Sequence, residues 1–324
     1  MAEPTSLTVA VTGPTGDIGR ALLRALDRRR EVAKVLGMAR RPFDPASLGL
    51  RKTEYRQGDV LDREAVEAFV GEADVLVHLA FIILGGREET RRVNLEGSRN
   101  VFQAAVGRVP RLVYTSSVAA YGFHRDNPQP LTEDVQPRGS EEFYYSAQKA
   151  ELEEALEDAL RGCDTDAYLL RPCVVAGEDA LTMLRVLPQA RVPGPLRIPL
   201  LPDPGTPFQL VHHDDVASAI VAAVLGRGEP GPYNLAGDGS ITMRDVAGAL
   251  GWRTLPMPRA GVALAARTTG LPLMPAQLQW LNAFHVPVLM DTSKARRELR
   301  WRPRHDTLAT LRATVAAGRD KRIV

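Results

Sequence analysis

The sequence predicts an α/β protein, a doubly wound parallel sheet with a smaller C-terminal lobe, on three observations. Short apolar runs alternate with segments of helical period through the first half of the 324 residues, the pattern of a parallel sheet wrapped by helices. A glycine-rich turn, Gly13 to Gly19, follows the first of those runs. After Arg171 the texture changes: seven prolines lie between Leu187 and Pro207, and proline at that density rules out a long helix there.

Taken in order, Leu7 to Thr12 reads as the first strand and stops at Gly13. Ile18 to Arg29 is helical, with Ile18, Leu22, Ala25 and Leu26 on one face. Lys34 to Ala39 and Val75 to Ala80 are further strands, and the second (VLVHLA) is apolar almost throughout, as in a sheet covered on both faces. Asn94 to Val106 returns to helical period. Arg111 to Ser116 is extended, Tyr144 to Arg161 helical, and Asp166 to Arg171 extended again. His212 to Leu225 reads as a helix opened by Asp214 and Asp215 as caps, and Ile241 to Leu250 as another capped by Ser240. Residues 1–175 are expected to form the dinucleotide-binding part, with 208–235 rejoining its sheet, and 176–324 mainly a substrate lobe.

Composition narrows the function classes. Hydrophobic residues are 44% and charged residues 25%, which excludes disorder, collagen and disulfide scaffolds. A net charge of +2 supplies no field for nucleic acid or an anionic membrane. Cys163 and Cys173 are the two cysteines, too few for a disulfide framework or a four-thiolate metal site. Residues 1–12 show no signal peptide, and the apolar stretch Val75 to Leu84, interrupted by His78, is too short to span a bilayer. The expectation is a cytoplasmic protein. The six histidines, His212 and His213 included, lack ligand spacing on a helix, so no metal is expected.

The turn reads Gly13-Pro14-Thr15-Gly16-Asp17-Ile18-Gly19 between a strand and a helix. Glycines there allow a tight turn, close approach to a pyrophosphate and close helix–strand packing, and the helix N-terminus offers N–H groups to phosphate. The second strand ends at Met38-Ala39-Arg40-Arg41. An acid at this point would bind the adenosine ribose, whereas arginine accommodates a 2′-phosphate. Ala39 followed by Arg40 and Arg41 therefore favours NADP, with NAD possible if both arginines are solvated loop residues.

Tyr145 and Lys149 stand four residues apart in YYSAQK, on one face of the expected helix. A phenol of pKa about 10 exchanges protons poorly near neutrality, and a nearby ammonium is expected to lower it. Ser116 and Ser117 close the Arg111–Ser116 strand, where ligands sit in open parallel sheets. A serine hydroxyl there either hydrogen-bonds a substrate oxygen or caps a turn.

With these residues in hand, the chain resembles an extended short-chain dehydrogenase/reductase of the NAD-dependent epimerase/dehydratase superfamily, a Rossmann-type fold. The matching motifs are TGPTGDIG (12–19), GDVLD (58–62), VHLA (77–80), NLEGSRNVF (94–102), YTSSVAAYG (114–122), YYSAQK (144–149), RPCVVAG (171–177), VHHDDVA (211–217), YNLAGDG (233–239) and DTSKARREL (291–299). The resemblance implies Tyr145 as general acid/base, Lys149 as ribose-binding and acidifying partner, and Ser117 as the group that polarises the substrate oxygen. It further implies Asp59 and Val60 at the adenine, Leu79 and Ala80 along the cofactor groove, Asn94 in support, and Pro172, Val174 and Val175 beside the nicotinamide. Family members often dimerise through four helices, here those of 94–106 and 144–161.

Two departures bear on the reaction. Dehydratases of this kind carry an Asp-Glu pair near the active serine, whereas this chain reads Ser117-Val118-Ala119-Ala120-Tyr121. Nucleotide-sugar epimerases often carry Asn where Cys173 stands. Phe81, Ile82, Ile83 and Leu84, with Met257, Leu264, Leu271, Met274, Trp280, Leu281 and Phe284, line an apolar cleft or form ordinary lobe core. Arg191 and Arg197 either bind an anionic group or are solvated. The leading expectation is an NAD(P)-dependent oxidoreductase that interconverts a carbonyl and a secondary alcohol on a small, largely apolar substrate. The alternatives are a nucleotide-sugar epimerase with tightly held NAD and a non-catalytic dinucleotide sensor.

Overall fold

A computed structural model of the chain describes residues 6–85, 87–187, 190–191, 199–257 and 286–324. Seven parallel strands form the central sheet: β1 (Leu7–Thr12), β2 (Val32–Ala39), β3 (Thr53–Gln57), β4 (Val75–His78), β5 (Arg111–Thr115), β6 (Asp166–Pro172) and β11 (Gly231–Leu235). Their spatial order is β11-β6-β5-β4-β1-β2-β3. The order reverses between β1 and β4, and a crevice opens beyond the carboxyl ends of strands at such a switch point. Helices α1 (Gly19–Asp27), α2 (Arg63–Val70), α3 (Arg87–Arg91), α4 (Gly97–Ala105), α5 (Tyr144–Leu160), α6 (Thr182–Val186), α7 (His213–Val224) and α8 (Met243–Leu250) follow in chain order, then helices Ser293–Glu298 and Thr307–Asp320.

Strand alternation divides the core. Val9, Val11, Val77 and Val113 pack with α1 and α7, while Ala10, Leu36, Leu76 and Leu112 pack with α2, α4 and α5. This two-sided burial explains why β4 is apolar with no exposed position. A third cluster, with Leu184, Phe208, Leu210, Ile241, Val246 and Leu311, lies beneath the C-terminal part. There β7 (Val174–Ala176) pairs with β10 (Leu210–His212), and β9 (Pro199–Asp203) pairs with β8 (Ala190–Arg191) and β12 (Arg253–Pro256). Among the described residues no helix is long and apolar enough to cross a membrane.

Three local readings are corrected. The 94–106 segment opens with a π-helical turn, Arg92–Glu96, before α4. The cap of α7 is not Asp214 or Asp215 but His212, whose Nδ1 accepts the Asp214 N–H at 3.2 Å. The cap of α8 is Thr242 rather than Ser240, in a capping box with Asp245. In both helices the expected cap is a suitable residue type, but the residue that caps lies two or three positions away.

Candidate active site

Thr12, His78 and Tyr114 lie side by side in register, so the segments that follow β1, β4 and β5 all leave the sheet along one edge. Gly13 has φ +73°, and a Cβ there would stand 2.8 Å from Ala80 N and 2.9 Å from Leu79 C. A Cβ on Gly19 would meet Gly13 O at 2.6 Å. Both positions therefore exclude side chains by backbone contact alone. Gly16 is different: it is exposed, and its Cβ would meet only Gly13 O at 3.5 Å. Ile18 caps α1 with no side-chain bond, and the first turn carries no acid. A helix start without a side-chain cap and a bare glycine fit a pyrophosphate. Thr15 is half-buried, and Asp17 accepts the Thr182 hydroxyl at 2.6 Å, tying the loop to α6.

At the end of β2, Arg40 and Arg41 are exposed. The backbone beneath them is held: Tyr55 OH donates to Ala39 O at 2.7 Å and to Arg41 O, and Gln57 donates to Arg40 O at 2.9 Å. Arg40 lies 3.8 Å from Glu89 of α3. Asp59 accepts the Leu61 N–H at 3.0 Å in a tight turn. Val60 is buried against Gly97, whose Cβ would stand 2.5 Å from Val60 Cγ2.

Ser117 and Tyr145 come together across β5 and α5. Ser117 caps the turn Val118–Tyr121, accepting the Ala119 N–H at 3.2 Å, and its hydroxyl stands beside the Tyr145 phenol. Of the two roles the sequence left open, the structure shows the turn cap. Burial pushes the half-buried Tyr145 phenol above its ordinary value of 10, and the group pulling it down is Ser117. That departs from the expectation that Lys149 acidifies it. Lys149 is 3% exposed, and its Nζ donates to Thr115 O at 2.9 Å and to Tyr114 OH at 3.3 Å. The i,i+4 spacing puts both residues on one helix face, but the long lysine stem reaches past the phenol to the strand end. Burial lowers Lys149 to about 7, and Glu153 offsets part of this.

Asn94, which the resemblance implied in support, and several residues that sequence reasoning passed over surround the pair. Asn94 is fully buried in the π turn, an irregularity frequent at functional sites. It clamps Ile82 by accepting its N–H at 2.7 Å and donating to its carbonyl at 3.0 Å, and it also donates to Gln148 at 2.8 Å. His78 bridges Thr12 and Ser98 at 2.7 and 2.9 Å, and burial lowers its pKa to about 3. Ser116 donates to Glu153, which pairs with Arg171 at 2.6 Å with both side chains buried. Arg171 donates to Tyr121 OH at 2.8 Å, and Tyr121 to Asn234 at 2.7 Å. Thr115 Oγ1 is a buried hydroxyl with no hydrogen-bond partner. The only sequence signal for Glu153 is its position one turn beyond Lys149.

Pro172 is buried at the end of β6, and Val174 and Val175 are half-buried in β7 beside Leu210 and Val211. Cys173 is buried and its thiol is pushed well above the usual range by burial. Leu264, Leu271, Met274, Trp280, Leu281, Phe284 and Arg197 lie outside the described residues, as does the Arg191 side chain.

Histidines without ligand spacing in sequence do converge in space. Glu178, His212 and His213 form one group and His212, Asp215 and His305 another, with ligand atoms within 4.8 Å of one another in each. Their lone pairs are largely engaged. His212 Nε2 lies 2.8 Å from Glu178, and Nδ1 accepts a backbone N–H. An imidazole that accepts at Nδ1 carries its proton on Nε2, the nitrogen a metal would need. Asp215 accepts Arg304 N at 2.9 Å, His305 N at 3.1 Å and pairs with His305 Nδ1 at 3.0 Å. The group reads as a joint between α7, β10 and the 304–305 segment.

Comparison with known proteins agrees with this geometry. The family model described as NAD dependent epimerase/dehydratase family matches residues 9–236. The chain is 28% identical over 308 residues to the uncharacterized protein y4nG of Sinorhizobium fredii, covering 92% of this chain and 75% of that one. It is 29% identical over 315 residues to ceramide reductase of Caulobacter vibrioides, covering 94% and 88%. Some mycobacterial relatives are longer, and the chain spans 27% of their length. In fold it is similar to the Bordetella bronchiseptica enzyme WbmH solved in complex with NAD+, with a TM-score of 0.70, 22% identity, and 97% and 99% of the two chains covered.

Proposed function

This chain belongs to the NAD-dependent epimerase/dehydratase family, and on that footing we propose that it interconverts a carbonyl and a secondary alcohol on a small, largely apolar substrate. The observation that carries the reading is the placement of the Ser117 hydroxyl beside the Tyr145 phenol at the carboxyl end of β5, two strands from β1. A nicotinamide dinucleotide, when bound, supplies or accepts the hydride. In the reducing direction Tyr145 donates its proton to the carbonyl oxygen, and Ser117 hydrogen-bonds that oxygen as charge develops. Gly13, Thr15, Gly16, Asp17, Ile18 and Gly19 hold the pyrophosphate, Asp59 and Val60 border the adenine, and Leu79, Ala80, Pro172, Val174 and Val175 line the nicotinamide side. Asn94 keeps the 79–83 segment in place, and Lys149 would reach the nicotinamide ribose by releasing the Tyr114 hydroxyl, the longer of its two hydrogen bonds.

We further assign a preference for NADP over NAD. Ala39 offers no carboxylate to a ribose, while Arg40 and Arg41 present two exposed guanidiniums on a braced backbone. A 2′-phosphate would take Arg40 from Glu89. The apolar character of the substrate is supported by the half-buried Phe81, Ile82 and Ile83 and by Leu84, 39% exposed. The name of the Caulobacter relative, ceramide reductase, points the same way. Against an epimerase, Cys173 is a buried neutral thiol rather than an amide. A homodimer through α4 and α5 and a cytoplasmic location are part of the same proposal, checked by sedimentation and by cell fractionation.

Tyr145→Phe tests the central claim. Turnover on a panel of apolar ketones is expected to fall by roughly a thousandfold or more, with NADPH affinity by calorimetry unchanged. Turnover at the unmutated level in that variant would overturn the assignment.

A further inference from the structure

Phe81 is the residue through which the loop after β4 touches the catalytic pair. Its ring centroid lies 3.9 Å from Lys149 Nζ, and its edge meets the Tyr145 ring at 5.5 Å between centroids. The ring cannot easily swing away, because its backbone is pinned on both sides. Leu79 N donates to Thr12 O at 3.1 Å, Asn94 clamps both polar groups of Ile82, and Tyr144 OH donates to Ile83 O. Lys149 has three N–H donors. Two are spent on Thr115 O and Tyr114 OH, and the remaining side of the ammonium faces the Phe81 ring.

We propose that Phe81 is a positioning residue for Lys149, its aromatic face holding the buried ammonium charged and fixed beside Tyr145. An aromatic quadrupole attracts a cation most strongly where water is excluded, and this Nζ is excluded. The other groups that face it are Tyr114 of β5, Tyr145 and Glu153 of α5, and His78 of β4. Glu153 favours the charged form, and His78, at about 3, is neutral near pH 7. Between them Phe81 supplies what a single distant carboxylate does not, a favourable surface in direct contact with the ammonium. Leucine keeps an apolar side chain beside the ammonium but removes the quadrupole together with part of the ring's volume.

The inference rests on the reading of Tyr145 and Lys149 as the reacting pair, but its test requires neither substrate nor cofactor. The sequence has five lysines, so the side-chain Cε and Nζ resonances of labelled protein can be followed by NMR titration, with Lys149→Arg identifying the signal. Phe81→Leu is expected to lower the Lys149 midpoint by about one pH unit, and Phe81→Tyr, which keeps the ring, to restore it. A midpoint unmoved in Phe81→Leu, or moved equally in Phe81→Tyr, overturns the proposal. Thermal unfolding of both variants confirms that each is folded. If instead no variant of Tyr145 affects turnover, the functional reading fails while the Lys149 midpoints still stand on their own.

Discussion

The crevice between β1 and β4 and the polar lattice that runs from Ser116 to Asn234 border the same edge of the sheet, yet they are built in opposite ways. In the crevice, residue identity follows from backbone contact: Gly13 and Gly19 are glycines because a Cβ would stand within 3 Å of main-chain atoms. In the lattice, identity follows from pairing. Glu153 and Arg171 are buried charges satisfied by each other, and the side chains of Arg171 and Asn234 are bridged by the Tyr121 hydroxyl. At Gly13 and Gly19 the first region tolerates no side chain, and the second tolerates no missing partner. The crevice is therefore fragile to small additions, and the lattice to small deletions.

Mutations sharpen this contrast. Glu153→Gln leaves Arg171 buried and short of its counter-charge, and unfolding in urea should show a loss of roughly 3–5 kcal/mol. A smaller loss, or none, would mean that the lattice is not held by charge. Gly13→Ala places a Cβ against Ala80 at φ +73° and should cost about 2 kcal/mol. Gly16→Ala should leave stability within about 0.5 kcal/mol but weaken NADPH binding by roughly tenfold, because its added methyl fills the approach to the phosphates. If both alanines behave alike, the crevice is not divided into a packing glycine and a binding glycine. At the histidine joint, Asp215→Asn removes a carboxylate that faces two N–H groups and an imidazole, and should cost about 1–3 kcal/mol.

A further effect is a slope with pH. His78 titrates near 3 in the folded protein and near 6.5 when unfolded. Between those values the unfolded chain binds the extra proton, so the stability that the neutral ring provides is complete above about pH 6.5 and lost as pH falls toward 3. That contribution declines by roughly 1 kcal/mol per pH unit. The stability difference between the unmutated chain and His78→Asn should shrink at that rate from pH 6 to pH 4. A constant difference would mean that the ring is not kept neutral by burial.

Much of the crevice was legible because its rules are local. Alternating runs announced the sheet, Gly13 to Gly19 announced the turn, and the four-residue step from Tyr145 to Lys149 put both on one helix face. Ser117 was legible as a strand-end hydroxyl. What could not be read was which partner each polar group would choose. Lys149 has a tyrosine one turn before it, but its Nζ goes to Thr115 and Tyr114. His212 displaces two aspartates as the cap of α7, and His305 finds Asp215 across 90 residues. Asn94 looks like a helix cap and is instead a clamp on Ile82.

By itself, then, the sequence determined the layering, the glycine turn, the absence of a carboxylate at the end of β2, and the residue types of the reacting group. These follow from short-range sterics and from side-chain period, which neighbouring residues carry with them. The tertiary structure alone decided that Ser117 rather than Lys149 is the group that lowers the pKa of the Tyr145 phenol, that Phe81 covers the ammonium, and that Glu153 and Arg171 neutralise each other. A buried polar group takes whichever partner the packing of distant elements brings within about 3 Å, and no local pattern encodes that choice.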